Sequence, residues 1–463
     1  MASVSSRPRS VRPGDHYLVA LCCVLFGYAL LGKGFAYFGY RPIFVGELTF
    51  TAGLLYLARS GCLVALLASP PCLLLSILIG WTLSCTLPYL GTYGIDALRD
   101  SVIIVYGGFA FVVAALLIDD YRRINAIIRY YRVFIGIYVP AAPVIFPLSF
   151  YFQDLLPNIP GTTVSIIWVG AGEVAVHLAG ATVFTLAGLR KPTAIWMICL
   201  LCAVIMVSAV SRAALLAYLV PVVCAAIMLG KARKLIALSA AGLALLAISL
   251  LLETSLSSQQ EARVSTERRV SSAQVIENVA SIVGQGGAQT EDTKEWREKW
   301  WRIIIANTVH GPYFWTGRGF GVNLGVEDGF ASAHSERPLR SPHNGNMTIL
   351  ARAGVPGLVL WGVFLTSWFG MLLRAIALAF RRGPREWIGF LLFIACYTLS
   401  CLINASFDVA LEAPMQGVWF WCLIGFGIGT TMIYRYMQGN DLWRPPTARQ
   451  FVRAGTHRPS SPA

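Results

Sequence analysis

Long apolar runs separated by short polar or basic breaks dominate this chain, and their spacing sets the expected elements. A hydrocarbon core of about 30 Å needs roughly 20 helical residues to cross it. On that measure the runs predict membrane-spanning helices at 17–32, 43–58, 70–90, 101–118, 133–150, 163–188, 192–210, 213–230, 234–252, 348–373, 387–404 and 416–436. The expected fold is an all-α polytopic membrane protein of about twelve transmembrane helices. The segment GCLVALLAS before Pro70 and Pro71 is too short to cross and reads as an interfacial or half-inserted piece.

One long polar stretch interrupts the pattern. The expected organisation is an N-terminal bundle of about nine spans over 1–252, a loop subdomain over 253–345, about three further spans over 346–437 and a disordered tail over 438–463. Within the loop, TEDTKEWREKWWRIIIANT places Trp296, Trp300, Ile303 and Ile304 on one helical stripe, with charged residues opposite. That pattern predicts an amphipathic helix lying on the bilayer surface, a depth that tryptophan favours.

Composition excludes a water-soluble globule: 56% of the 463 residues are hydrophobic and 13% are charged, with a mean hydropathy of +0.63. The net charge of +14 points to topology rather than to nucleic acid, because the 253–345 stretch balances ten Lys/Arg against eleven Asp/Glu. The positive excess lies in short loops and tails: the N-terminal Arg7, Arg9 and Arg12, then DDYRRINAIIRYYR, LRKP, KARK, RRGPRE and the segment from Arg435. If the N-terminus is cytoplasmic, all of these fall on the cytoplasmic side. Residues 253–345 then face the periplasm or cell exterior.

The basic-then-apolar start imitates a secretory signal, but no A-x-A-like site follows, so an uncleaved first span is expected. None of the eleven cysteines lies between 253 and 345, which excludes a disulfide framework in the loop. Cys199 and Cys202 form a CxxC inside an apolar run, where packing explains them better than zinc or redox chemistry.

Four basic or titratable residues converge on the external side: Arg212 in VSAVSRAALL, Arg297 in EWREKWW, Arg318 in TGRGFGVN and His343 in SPHNGNMTIL. Singly, each reads as a snorkelling arginine, a solvated charge, a turn residue or a loop histidine. Together they oppose the usual charge bias and suit a phosphorylated lipid headgroup, since guanidinium grips phosphate oxygens bidentately. The glycines of GRGFG would let backbone approach an anion. His343 is the natural group to take a proton from a hydroxyl.

VSAVSRAALL, EWREKWW, TGRGFG and SPHNGNMTILARAGVPGLVLW together resemble the O-antigen ligase/polymerase superfamily of bacterial cell-envelope glycosyltransferases, and LGKGFAYFGYRPIFVGEL resembles the opening of such proteins. The resemblance implies about twelve spans, a large periplasmic loop and transfer of a glycan from an undecaprenyl-pyrophosphate carrier to a glycan or lipid A-core acceptor. It implies that Arg212 and Arg297 grip the pyrophosphate and that His343 is the general base. Arg318 and Asn344 stand among the substrate-binding residues, although at Arg318 the flanking glycines fit the pattern better than the arginine does. No metal or cofactor is called for: Glu291 and Asp292, which adjoin in a polar stretch, read as solvated charges.

A transporter or flippase for a lipid-linked or anionic solute is the alternative. Glu173 and His177, four residues apart within a span, would suit it, though a structural hydrogen-bonded pair fits them equally. A non-enzymatic scaffold is a third reading and predicts that Arg212, Arg297 and His343 lie far apart. Asp408 and Glu412, between the last two spans, could orient an acceptor sugar but read better as solvated loop residues.

Overall fold

The computed structural model describes residues 12–40, 42–257, 274, 275, 278, 288–331, 339–382 and 385–439. The expected disordered tail lies outside the described residues from Asn440 onward.

Each of the twelve apolar segments holds a helix. In chain order these are α1 (Pro13–Leu31), α2 (Val45–Ser60), α3 (Pro70–Thr86), the consecutive α4 (Ile95–Val105) and α5 (Gly108–Asp119), α6 (Arg123–Tyr151), α7 (Ala171–Leu186), α8 (Ala194–Val210), α9 (Arg212–Met228) and α10 (Ala232–Ser257). After the polar stretch, which contributes α11 (Ala288–Thr308), come α12 (Gly345–Arg382), α13 (Arg385–Ala405) and α14 (Pro414–Gly439). Among the described residues, six helices are long and apolar enough to cross a membrane, or seven if α4 and α5 form one broken span. The protein is a multi-pass all-α membrane protein.

Two spans differ from their expected form, and the short piece before Pro70 is too short to cross, as expected. The run at 101–118 breaks into α4 and α5, which meet at 43° around Gly107 and Gly108, where the chain lacks side chains to hold a straight helix. The run at 163–188 is helical only from Ala171; the preceding TTVSIIW, rich in β-branched residues, is not helical and joins two short bridges. The interfacial piece is a five-residue helix, Leu63–Leu67.

The bundle has two ends, which packing sorts without reference to a bilayer. At the end nearest the tails, Arg123 donates to Asp15 at 2.8 Å, to Asp119 at 2.7 Å and to Tyr56 at 3.1 Å, tying together α1, α2, α5 and α6. At the other, the loop end, the Lys33 amide donates to the Trp168 carbonyl at 2.8 Å, and Asn278 donates to the Ser208 and Ala209 carbonyls, both at 2.8 Å. The N-termini of α7, α9, α12 and α14 all lie at the loop end.

The amphipathic stripe of α11 is used differently from expectation. Trp300 is fully buried, stacked on Phe330 at 4.8 Å, and packs with Ile304, Leu324, Leu350 and Ala351 into a small second core. Its Nε1 donates to Asp328 at 2.8 Å. The stripe's centre therefore meets protein rather than lipid, and α11 is clamped onto the start of α12.

Candidate active site

A straight α12 would be about 57 Å long at 1.5 Å per residue, nearly twice the hydrocarbon thickness. It is not straight: Gly354 has φ 70° and ψ −173°, which splits off a short first helix, 345–353, from a long second one. A Cβ at Gly354 would lie 2.5 Å from the Phe314 and Trp315 carbonyls, so only glycine fits. Pro356 falls in the first turn of the second helix, where its missing N–H costs nothing.

A break strands backbone carbonyls, and each here has a partner. The Arg318 amide donates to Ala351 at 2.7 Å and the Gly319 amide to Arg352 at 3.1 Å, while the Trp81 indole donates to Ala353 at 2.9 Å. This accounts for TGRGFG. Its amides cap the broken helix instead of facing an anion, and Gly317, Gly319 and Gly321, all at positive φ, lie against the α12 backbone, Tyr89 and Tyr93, where a Cβ would collide.

The short helix begins immediately after His343. Asn344 is its cap: Oδ1 accepts from the amides of Asn346 at 2.9 Å and Met347 at 3.2 Å, leaving the side-chain amide group as what Asn344 has to offer a ligand. His343 has φ 51°, the one positive value outside glycine among the described residues, a conformation characteristic of functional turns. Its Nδ1 lies 3.5 Å from Asp408 Oδ1. Helix α11 braces the turn, with Trp296 6.3 Å from the imidazole centre and Trp301 Nε1 donating to the Pro342 carbonyl at 3.1 Å.

Arg297 follows Trp296 on this bracing helix. Arg212 opens α9, whose register is set by Ser400 Oγ donating to the Ala217 carbonyl at 2.6 Å. Five residues on each helix, about 7.5 Å, lead from that bond to Arg212 and to Ala405. A Cβ at Gly345 would lie 3.3 Å from the Ala405 carbonyl. Arg212, the end of α13 and the start of α12 thus share one level. Arg318 is engaged elsewhere: its guanidinium pairs with the buried Asp328 at 2.7 Å and lies over Tyr313.

The two acidic residues read as solvated belong to the site's frame. Asp408 faces His343, and Glu412 Oε1 accepts from Thr348 Oγ1 at 2.8 Å. Burial raises the Glu412 carboxyl above the ordinary carboxylate range, with Arg352 and the Thr348 hydrogen bond opposing. Arg352, itself 1% exposed, pairs with Asp100 at 3.0 Å, and Arg340 pairs with the same carboxylate at 2.8 Å. The Asp100 contacts join residues hundreds of positions apart, and no local pattern announces them.

Glu173 and His177 do not pair. Glu173 Oε2 accepts from the Gly170 amide at 3.2 Å at the start of α7, while His177 Nδ1 meets Tyr397 OH at 2.5 Å among Phe134, Tyr138 and Trp419. The intramembrane pair on which the transporter reading leaned is absent.

Compared with known families, residues 197–362 match the one described as O-antigen ligase. That stretch is similar to an O-antigen ligase domain. It runs from α8 through the break in α12 and contains Arg212, Arg297, Arg318, His343 and Asn344. The match supports kinship with the O-antigen ligase/polymerase superfamily, whose general activity is membrane ligase or polymerase chemistry of the glycosyltransferase kind. A comparison with curated proteins finds no match.

Proposed function

We propose that the O-antigen ligase domain transfers glycan from an undecaprenyl-pyrophosphate-linked donor at the periplasmic face of the bacterial cytoplasmic membrane, in a chain that crosses twelve times and keeps both termini in the cytoplasm. The observation that carries the reading is the His343–Asp408 contact, braced by α11, the helix that carries Arg297, and level with Arg212. The basic loops at the tail end support the orientation.

In this mechanism an acceptor hydroxyl attacks the donor's anomeric carbon as His343 takes its proton, and the bond from that carbon to the pyrophosphate oxygen breaks. The electron pair leaves with the carrier pyrophosphate, whose developing charge Arg212 and Arg297 neutralise. Asp408 stabilises the imidazolium, and the amide of Asn344 is available to a sugar or phosphate oxygen. Arg318, paired with Asp328, supports the site from its frame. The acceptor is lipid A-core in a ligase and a second lipid-linked repeat in a polymerase.

The test is complementation of a strain lacking the gene with wild type, His343→Ala and Arg212→Ala, with membrane abundance measured. Abundant but inactive variants support the reading. A single repeat left on the core identifies a polymerase, and bare core with carrier-linked chains accumulating identifies a ligase. Full restoration of surface glycan by both variants overturns it.

A further inference from the structure

The turn after α1 is built around one lysine. Gly32 forms a parallel bridge with Trp168, the Lys33 amide donates to the Trp168 carbonyl at 2.8 Å, and the Trp168 amide donates to the Leu31 carbonyl at 3.0 Å. Gly32 has φ 59°, and a Cβ on Gly32 or Gly34 would collide with the Trp168 or Ile166 carbonyl. Glycines on both sides let the two strands of chain close to backbone contact. The result holds the Lys33 ammonium 4.2 Å from the centre of the Trp168 indole, a cation–π seat that fixes an otherwise flexible charge.

That seat lies at the loop end of the bundle, as the site does. The turn Lys33–Ala36 packs against α14, which begins two residues after Glu412. A Cβ at Gly172 would collide with the Asn404 side chain, placing Glu173 level with the end of α13. Lys33 and Asp408 both act electrostatically on Glu173. Lys33 and Asp408 thus both lie near Glu173, and Asp408 is the residue that faces His343.

We infer that Lys33, seated on Trp168, is a binding residue of the same mouth and grips a phosphate oxygen of a lipid-linked substrate. The inference rests on the transferase reading. A lone neutralising role toward Glu173 is the structural alternative, and it makes a different prediction. Two substrates could present the phosphate, the donor or a phosphorylated acceptor, and separate titrations distinguish them.

The experiment measures transfer in detergent-solubilised full-length protein, titrating undecaprenyl-pyrophosphate-linked oligosaccharide and acceptor separately, for wild type, Lys33→Met, Lys33→Arg, Lys33→Met/Glu173→Gln and His343→Ala. Removing one charge-assisted hydrogen bond raises KM roughly 10- to 100-fold. We expect such a rise for Lys33→Met, with partial recovery by Lys33→Arg and none by the double variant. A rise confined to the donor assigns the phosphate to the carrier pyrophosphate, and one confined to the acceptor assigns it there. Unchanged KM values, or wild-type KM in the double variant, overturn the inference while an inactive His343→Ala leaves the transferase reading standing. A fully active His343→Ala overturns that reading itself.

Discussion

Thr348 Oγ1 donates a 2.8 Å hydrogen bond to Glu412 Oε1, and this single contact joins the helix that follows His343 to the loop that carries Asp408. Each partner lies within five residues of one member of the His343–Asp408 contact. The bond acts as a spacer that sets how closely carboxylate and imidazole approach.

Glu412 should give the protein a measurable pH signature. Its folded pKa lies above its unfolded one because burial disfavours the charged form, so its contribution to stability is full below about 4.3, the ordinary glutamate value, and is lost as pH rises through the raised value. Glu412→Gln keeps an acceptor for Thr348 and cannot ionise. The melting temperature of the variant minus that of wild type should grow between pH 4 and pH 8; a constant difference contradicts the burial argument.

His343 combines a catalytic assignment with an unfavourable backbone angle. Asparagine tolerates positive φ far better than alanine. His343→Asn should reach the membrane at least as abundantly as His343→Ala, while both lose roughly 10²- to 10⁴-fold in transfer, the usual worth of a general base. Asp408→Asn should lose less than either. Equal activity of His343→Asn and wild type in a transfer assay excludes the proton-acceptor role.

Arg318 should behave as a stability residue. Its loss strands the buried Asp328 carboxylate, a change that typically costs about 3–5 kcal/mol. Arg318→Met should reduce folded protein in fluorescence-detected size exclusion, and Arg318→Met/Asp328→Asn should recover it. Recovery of abundance without recovery of transfer would instead assign Arg318 to the substrate.

Gly354→Ala should be among the most damaging small substitutions in the chain. The positive φ alone costs of order 1–3 kcal/mol, and the new methyl meets the Phe314 and Trp315 carbonyls at 2.5 Å. Protease protection of the Gly345–Ala353 segment in isolated membranes should fall sharply; unchanged protection argues that the break tolerates a side chain.

Hydropathy revealed where the helices are, because lipid imposes its period on any spanning segment, and VSAVSRAALL, EWREKWW and SPHNGNMTIL marked out the domain that contains the site. The failures have a common physical origin. Asp408, Glu412, Asp100 and Arg352 acquire their roles from partners far away in sequence, so a local reading assigned the buried Glu412 to solvent, saw only the solvated side of Asp408 and passed over the other two. The glycines of TGRGFG announced close backbone approach correctly, but sequence could not say whether the approaching group was a phosphate or, as here, the carbonyls of a broken helix. Trp300 likewise announced an apolar contact without specifying lipid or protein.

The capping of Ala351, Arg352 and Ala353 also determines which side of the site can move. Displacing the 317–319 turn would strip two carbonyls of their donors near the hydrocarbon, a penalty of several kcal/mol for each, and the Trp81 indole fastens the third to α3. That flank is a fixed jamb. Movement that opens the site falls instead to the 406–413 loop, which is held to the start of α12 chiefly by side chains.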